Sequence, residues 1–206
     1  MSIGRQMGAW MLANPLAAQA RLALSRGDLS DARAALAEAR RLLRPAGLQW
    51  FGPVLIPLLE ADLRLAEGEA GLALSILIDL KLKVAAMPVR PFLPEVLRLE
   101  AAALDRSGRS AEAVEALRQA RLEAQTMGAS WRLLPVLVDL SRVLERAGDH
   151  AASGDALTEA KTVGRQIMDH IPQDTGWIPY KDQSDVQAVL GGIVRKARPG
   201  AGPSSK

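Results

Sequence analysis

Few residue types in this 206-residue chain can carry out covalent chemistry, and they are scattered. His150 and His170 stand at the two ends of one predicted helix, about 30 Å apart at about 1.5 Å rise per residue. Within one chain they cannot share a metal ion. There is no cysteine to serve as nucleophile, thiolate ligand or disulfide partner. Neither a phosphate-binding glycine loop with its lysine nor a His-Glu-x-x-His helix occurs, and no serine has a nucleophile-elbow setting. No catalytic residue, metal site or cofactor is expected. What remains is binding chemistry, and it belongs to arginine. Arg21, Asp62, Ala102 and Arg142 each stand six positions before a glycine, and Arg98 lies one helical turn earlier in the third series. A guanidinium fork pairs with a carboxylate through two parallel charge-assisted hydrogen bonds, so arginines brought to one surface would hold a peptide carboxylate or an acidic segment. The alternative is an ordinary solvated face on which they pair with Asp62, Asp105 and Glu145.

The elements that would position these residues follow from the glycines themselves. Gly27, Gly68, Gly108 and Gly148 recur at a nearly constant interval of about 40 residues, within the range of helical repeat proteins. Five positions after them come Ala32, Ala73, Ala113 and Ser153; nine after, Leu36, Leu77, Leu117 and Leu157. Twelve after stand Ala39, Leu80, Ala120 and Ala160, and seven before stand Ala20, Ala61, Ala101 and Ser141. Small residues on both sides of a glycine turn are what two antiparallel helices need if their backbones are to approach closely, and the leucine fills the space beside them. Each glycine precedes a polar residue, as where a helix ends in the left-handed conformation that glycine adopts most cheaply. One helix pair per period is the pattern of an α-solenoid, whose units bury their apolar faces only by stacking.

The run Gly27-Asp28-Leu29-Ser30-Asp31-Ala32 with Leu36 and Ala39, and the equivalent runs from the other three glycines, resemble tetratricopeptide repeats. The period is longer than the standard one of about 34 residues, and the aromatic positions are mostly aliphatic. Both departures are similar to the longer repeats of maltose-regulator-type transcription activators and of large bacterial signalling ATPases. The resemblance covers roughly residues 15 to 190. It implies an all-α, right-handed solenoid of four helix-turn-helix repeats with a C-terminal capping helix, whose leading helices line a concave face. Arg21, Asp62, Arg98 and Arg142 would point into that groove.

Proline, glycine and capping signals divide the chain further. Residues 1–14 are an N-terminal segment or the end of a preceding repeat; 15–171 hold the four repeats; 172–197 a loop and capping helix; 198–206 a disordered tail. Asn14-Pro15 is expected to open the first leading helix, because proline at a first helical position lacks an amide that would be unsatisfied anyway. The later pairs are expected at about 51–67 with 69–86, 91–107 with 110–127, and 130–147 with 150–169. Pro57 should kink its helix or delay its start, and Ser184 with Gln187 should cap a short helix to about Lys196. Trp50 and Trp131 precede leading helices, where they would wedge between repeats or offer stacking platforms. Trp177 and Tyr180 would pin the terminal loop.

Composition narrows the role. Only 3% of residues are aromatic while 49% are hydrophobic, which favours helix-on-helix packing over a β-rich core. A net charge of +3 spread over 26 basic and 23 acidic residues is no nucleic-acid footprint, and no apolar run reaches the roughly 18 residues of a membrane span. The reading is a cytoplasmic, non-catalytic interaction scaffold or regulatory module. Its partner would be a protein or peptide in the groove, or another domain of the same system, without direct contact to nucleic acid or membrane. The alternative is a ligand-sensing domain that takes a small molecule or peptide in the same groove.

Overall fold

The computed structural model describes residues 3–43, 52–88 and 90–170. The expected terminal loop, capping helix and tail lie outside these residues, as do Trp50, Trp177, Tyr180 and the side chain of His170. Among the described residues the fold is all-α. Eight helices follow in order: α1 (Ile3–Arg26), α2 (Leu29–Leu43), α3 (Gly52–Ala66), α4 (Ala70–Ala85), α5 (Leu93–Arg106), α6 (Ser110–Thr126), α7 (Ser130–Arg146) and α8 (His150–His170). The chain divides into two compact units, Met1–Glu123 and Ala124–Lys206, with the boundary inside α6.

The glycines do what their spacing predicts. Gly27, Gly68, Gly108 and Gly148 have φ between +77° and +83°, and each turn is closed by the same pair of backbone hydrogen bonds. At Gly68 its N–H donates to Leu65 O, and the following Glu69 N–H reaches back to Arg64 O, at 3.0 and 2.8 Å. This satisfies two carbonyls that the helix end would otherwise leave bare. The residue after the glycine then starts the next helix: the carbonyls of Asp28, Glu69, Arg109 and Asp149 accept from Ala32, Ala73, Ala113 and Ser153. Two or three residues thus make the whole connection, and the polar one after the glycine is exposed to water in all four turns. Asp149 also accepts from Ala152 N–H at 3.1 Å, capping α8. Gly128, φ +62°, closes α6 in the same way.

The repeat register is also the burial register. Ala20, Ala61 and Ala101 before the turns, and Ala32, Ala73 and Ala113 after them, are fully buried. In the fourth copy both positions are serine, and the two side chains touch: Ser141 Oγ and Ser153 Oγ are 3.1 Å apart, and Ser153 Oγ donates to Ser141 O at 2.9 Å. The two helices approach closely here, and side chains no larger than serine set the spacing. Leu36, Leu77 and Leu117 are buried beside it, whereas Leu157 is only partly covered.

In the first unit both helices of one hairpin pack on the leading helix of the next. α1 packs on α3 and α3 on α5, while α2 contacts α3 and α4 contacts α5. α3 therefore has neighbours on several sides, which is why Val54, Ile56, Leu58, Leu59, Ala61, Leu63 and Leu65 are all buried along it. In the second unit Leu133, Leu134, Leu137 and Val138 of α7 form a core with Ala160 and Val163 of α8.

One expectation about proline needs correction. The first leading helix does not open at Pro15; α1 runs from Ile3 through it. Pro15 removes one amide, but Ala13, Ala17 and Ala20 stay in phase on the buried stripe across it, so packing outweighs the lost hydrogen bond. Of the two alternatives at Pro57, the later start does not occur: α3 begins at Gly52 and holds Pro57 inside it. Pro94 lies in the first turn of α5, and Pro135 inside α7.

Candidate functional site

Three of the four groove residues lie on successive leading helices of the first unit: Arg21 on α1, Asp62 on α3 and Arg98 on α5. They meet around the Asp62 carboxyl. Burial pushes that group above the ordinary carboxylate range; Arg98 pulls it back, Glu95 adds to the rise, and Arg21 and Arg106 act weakly in the same sense as Arg98. Arg98 Nη2 donates to Glu95 Oε1 at 3.0 Å, with both side chains largely covered. Arg106 donates to Leu65 O in the last turn of α3, where a cation meets the negative end of the helix. Three arginines and one further carboxylate thus act on the Asp62 carboxyl.

Its proton linkage has a definite sign. The folded chain holds the Asp62 proton more tightly than the unfolded chain, whose pKa is about 3.9. The stability that this group contributes is fully present below that value and is lost as pH rises through the raised one. Once Asp62 is ionised, the guanidinium groups offset its desolvation only in part.

Arg142, the fourth expected member, is half-buried on α7 in the second unit. The glycine period does not single out Arg106 or Glu95. Their signal is nonetheless present: Glu95 and Arg98 are one helical turn apart on α5, and Arg106 stands two positions before the turn glycine.

A second constellation repeats with the period. Arg40 on α2 bonds Glu60 on α3, and Lys81 on α4 bonds Glu100 on α5. Arg40 holds the same place after Gly27 as Lys81 does after Gly68, and Glu60 the same place before Gly68 as Glu100 does before Gly108. The two ion pairs are therefore equivalent links between successive hairpins. Each pair borders a groove. The first, about 610 Å³, is lined by Arg33, Arg40, Arg41 and Arg64 with one carboxylate, Glu60, over Leu36, Leu63 and Ile76. The second, about 730 Å³, has Glu100, Glu112 and Glu115 against Lys81 and Arg118, with Leu104 and Leu122. Burial pushes the Glu60 carboxyl up, and Arg40 and Arg64 draw it down. In the next register the sequence has Arg121 and Leu140 at these two positions, so the glutamate is not repeated.

The remaining sequence candidates are placed individually. His150 Nδ1 lies 2.9 Å from Glu145 Oε1 in an exposed pair, and this bond holds the Glu145 carboxyl below its ordinary range. Trp131 is 49% exposed, with the Arg132 guanidinium 4.1 Å from its ring centroid. It is therefore not a ring enclosed on all sides. Among the described residues no group of three or more His, Asp or Glu side chains could hold a metal ion, and no helix is long and apolar enough to cross a membrane. No protein-family model and no curated protein matches the chain.

Proposed function

We propose that the chain is a protein-interaction module, a right-handed solenoid of tetratricopeptide-like repeats that works without catalysis, in which the surface of α1, α3 and α5 receives an acidic partner segment. The observation that carries this reading is the row of Arg21, Arg98 and Arg106 around Asp62, on three leading helices that pack side by side. A guanidinium fork at this surface would take an incoming carboxylate through two parallel charge-assisted hydrogen bonds. The recurrence of one turn and one small-residue contact in every hairpin supports the scaffold reading, because such a frame holds side chains in register without building a reaction centre. In the cell such a module would serve as a cytoplasmic adaptor or as the regulatory arm of a larger signalling protein.

The test is fluorescence anisotropy with a labelled peptide of glutamate and leucine, titrated at two salt concentrations. Wild-type protein should bind it in a salt-sensitive manner. Arg21→Ala and Arg98→Ala should each weaken binding about tenfold, the loss expected for one hydrogen bond to a charged group. Undiminished affinity in both variants would remove this surface from the account. If instead a small molecule raised the melting temperature with no peptide response, the sensing reading would take its place.

A further inference from the structure

The groove between α4, α5 and α6 holds a polar group that the interaction surface above does not use. Glu100 is only 6% exposed. Its Oε1 accepts from Lys81, but its Oε2, equally buried, has no hydrogen-bond partner among the described residues. A buried carboxylate oxygen left bare is costly, and native folds seldom keep one without a use. We propose that this groove docks an arginine or lysine side chain of a partner protein segment, with Glu100 Oε2 accepting a hydrogen bond from its charged tip.

Three features fit that occupant. The buried acceptor calls for a donor at the end of a long side chain, which lays its aliphatic stem along apolar surface while its charged end seeks a carboxylate. Leu122 supplies that surface, bordering the groove while 63% exposed. The lining is also rich in carboxylates, with Glu112 and Glu115 at the rim, paired with Arg109 and Arg118, and Glu100 below against Lys81. The equivalent groove one repeat earlier gives the contrast: four arginines and one glutamate line it, and each arginine is already paired, Arg33 with Glu67, Arg40 with Glu60, Arg41 with Glu38 and Arg64 with Glu67 and Glu69. Two grooves of the same construction therefore differ in the acceptor they hold: among the described residues only Glu100 keeps a buried carboxylate oxygen without a hydrogen-bond partner. The proposal rests on the chain being an interaction module, but not on the Asp62 surface. Loss of acidic-peptide binding would leave it standing.

The experiment uses the full chain and two labelled peptides, one with a single arginine between leucines and the other with neutral citrulline in its place. Anisotropy should show the arginine peptide bound at least tenfold more tightly than the citrulline peptide. Glu100→Gln should abolish that preference, while Glu60→Gln in the equivalent groove leaves it intact. Because Glu100→Gln also removes the link to Lys81, Glu115→Gln at the exposed rim is the second variant. It should weaken arginine-peptide binding several-fold with the melting temperature unchanged. Equal affinity for the two peptides, no binding by wild-type protein, or full binding by both the Glu100→Gln and Glu115→Gln variants would overturn the proposal.

Discussion

The first hairpin, α1 with α2, and the last, α7 with α8, close through the same glycine turn but are filled differently. Between α1 and α2 the buried residues are Ala13, Ala17, Ala20 and Ala23 against Ala32, Ala35, Leu36 and Ala39. Between α7 and α8 they are Leu133, Leu134, Leu137 and Val138 against Ala160 and Val163, with a serine pair at the contact point. The turn and the small pair are thus constant, while the volume beside them varies. Close approach of the helices supplies the contacts in the first hairpin, and large side chains supply them in the last.

That contrast can be broken most forcefully from the large-residue side. Leu137→Ala should lower unfolding free energy by about 2–5 kcal/mol, since a fully buried leucine leaves a cavity that packed neighbours fill only in part; urea titration measures it. A value near zero would show that α7 and α8 are not held by their filling. The opposite change in the first hairpin, Ala20→Leu, should cost about 1–3 kcal/mol through overpacking. Tolerance of that leucine would mean that the helices can separate freely and that small residues are not required. The finest test concerns the serines. Ser153→Ala alone should cost about 1 kcal/mol, because it strips a buried hydroxyl and a carbonyl of their partner. Adding Ser141→Ala should recover much of that loss, because the double variant recreates the alanine pair of the other copies. A double variant that lost more than the sum of the singles would show that the serines do more than keep the helices close.

These expectations rest on features that the sequence displays to different degrees. The turns are fully legible, because a left-handed helix end leaves one residue type at a fixed interval and each of the four glycines bears it out. The small positions before and after the turn are legible for the same reason, since only small side chains fit where the backbones meet. The beginning of α1 is not. Local reading gives Pro15 the authority to start a helix, while the deciding factor is a buried alanine stripe that continues on both sides of it. The Asp62 site is legible as far as its members on successive repeats, but Glu95 and Arg106 enter through the packing of α5 against α3, which a period alone does not specify. The ion pairs Arg40–Glu60 and Lys81–Glu100 are the instructive omission. They keep the glycine spacing across two successive junctions, yet identical residues do not mark them, because arginine and lysine alternate at the basic position and the glutamate is absent from the third.

The contact between Ser141 and Ser153 spans only 12 residues, and this separation recurs in every hairpin. Contacts so near in sequence close a short loop, whose entropy is small and the same each time. Low contact order of this kind goes with fast folding. No single hairpin therefore has a privileged claim to form first on grounds of chain connectivity. The order of assembly is left to the fillings, which makes residues such as Leu137 and Ala20 determinants of when each hairpin closes as well as of how firmly.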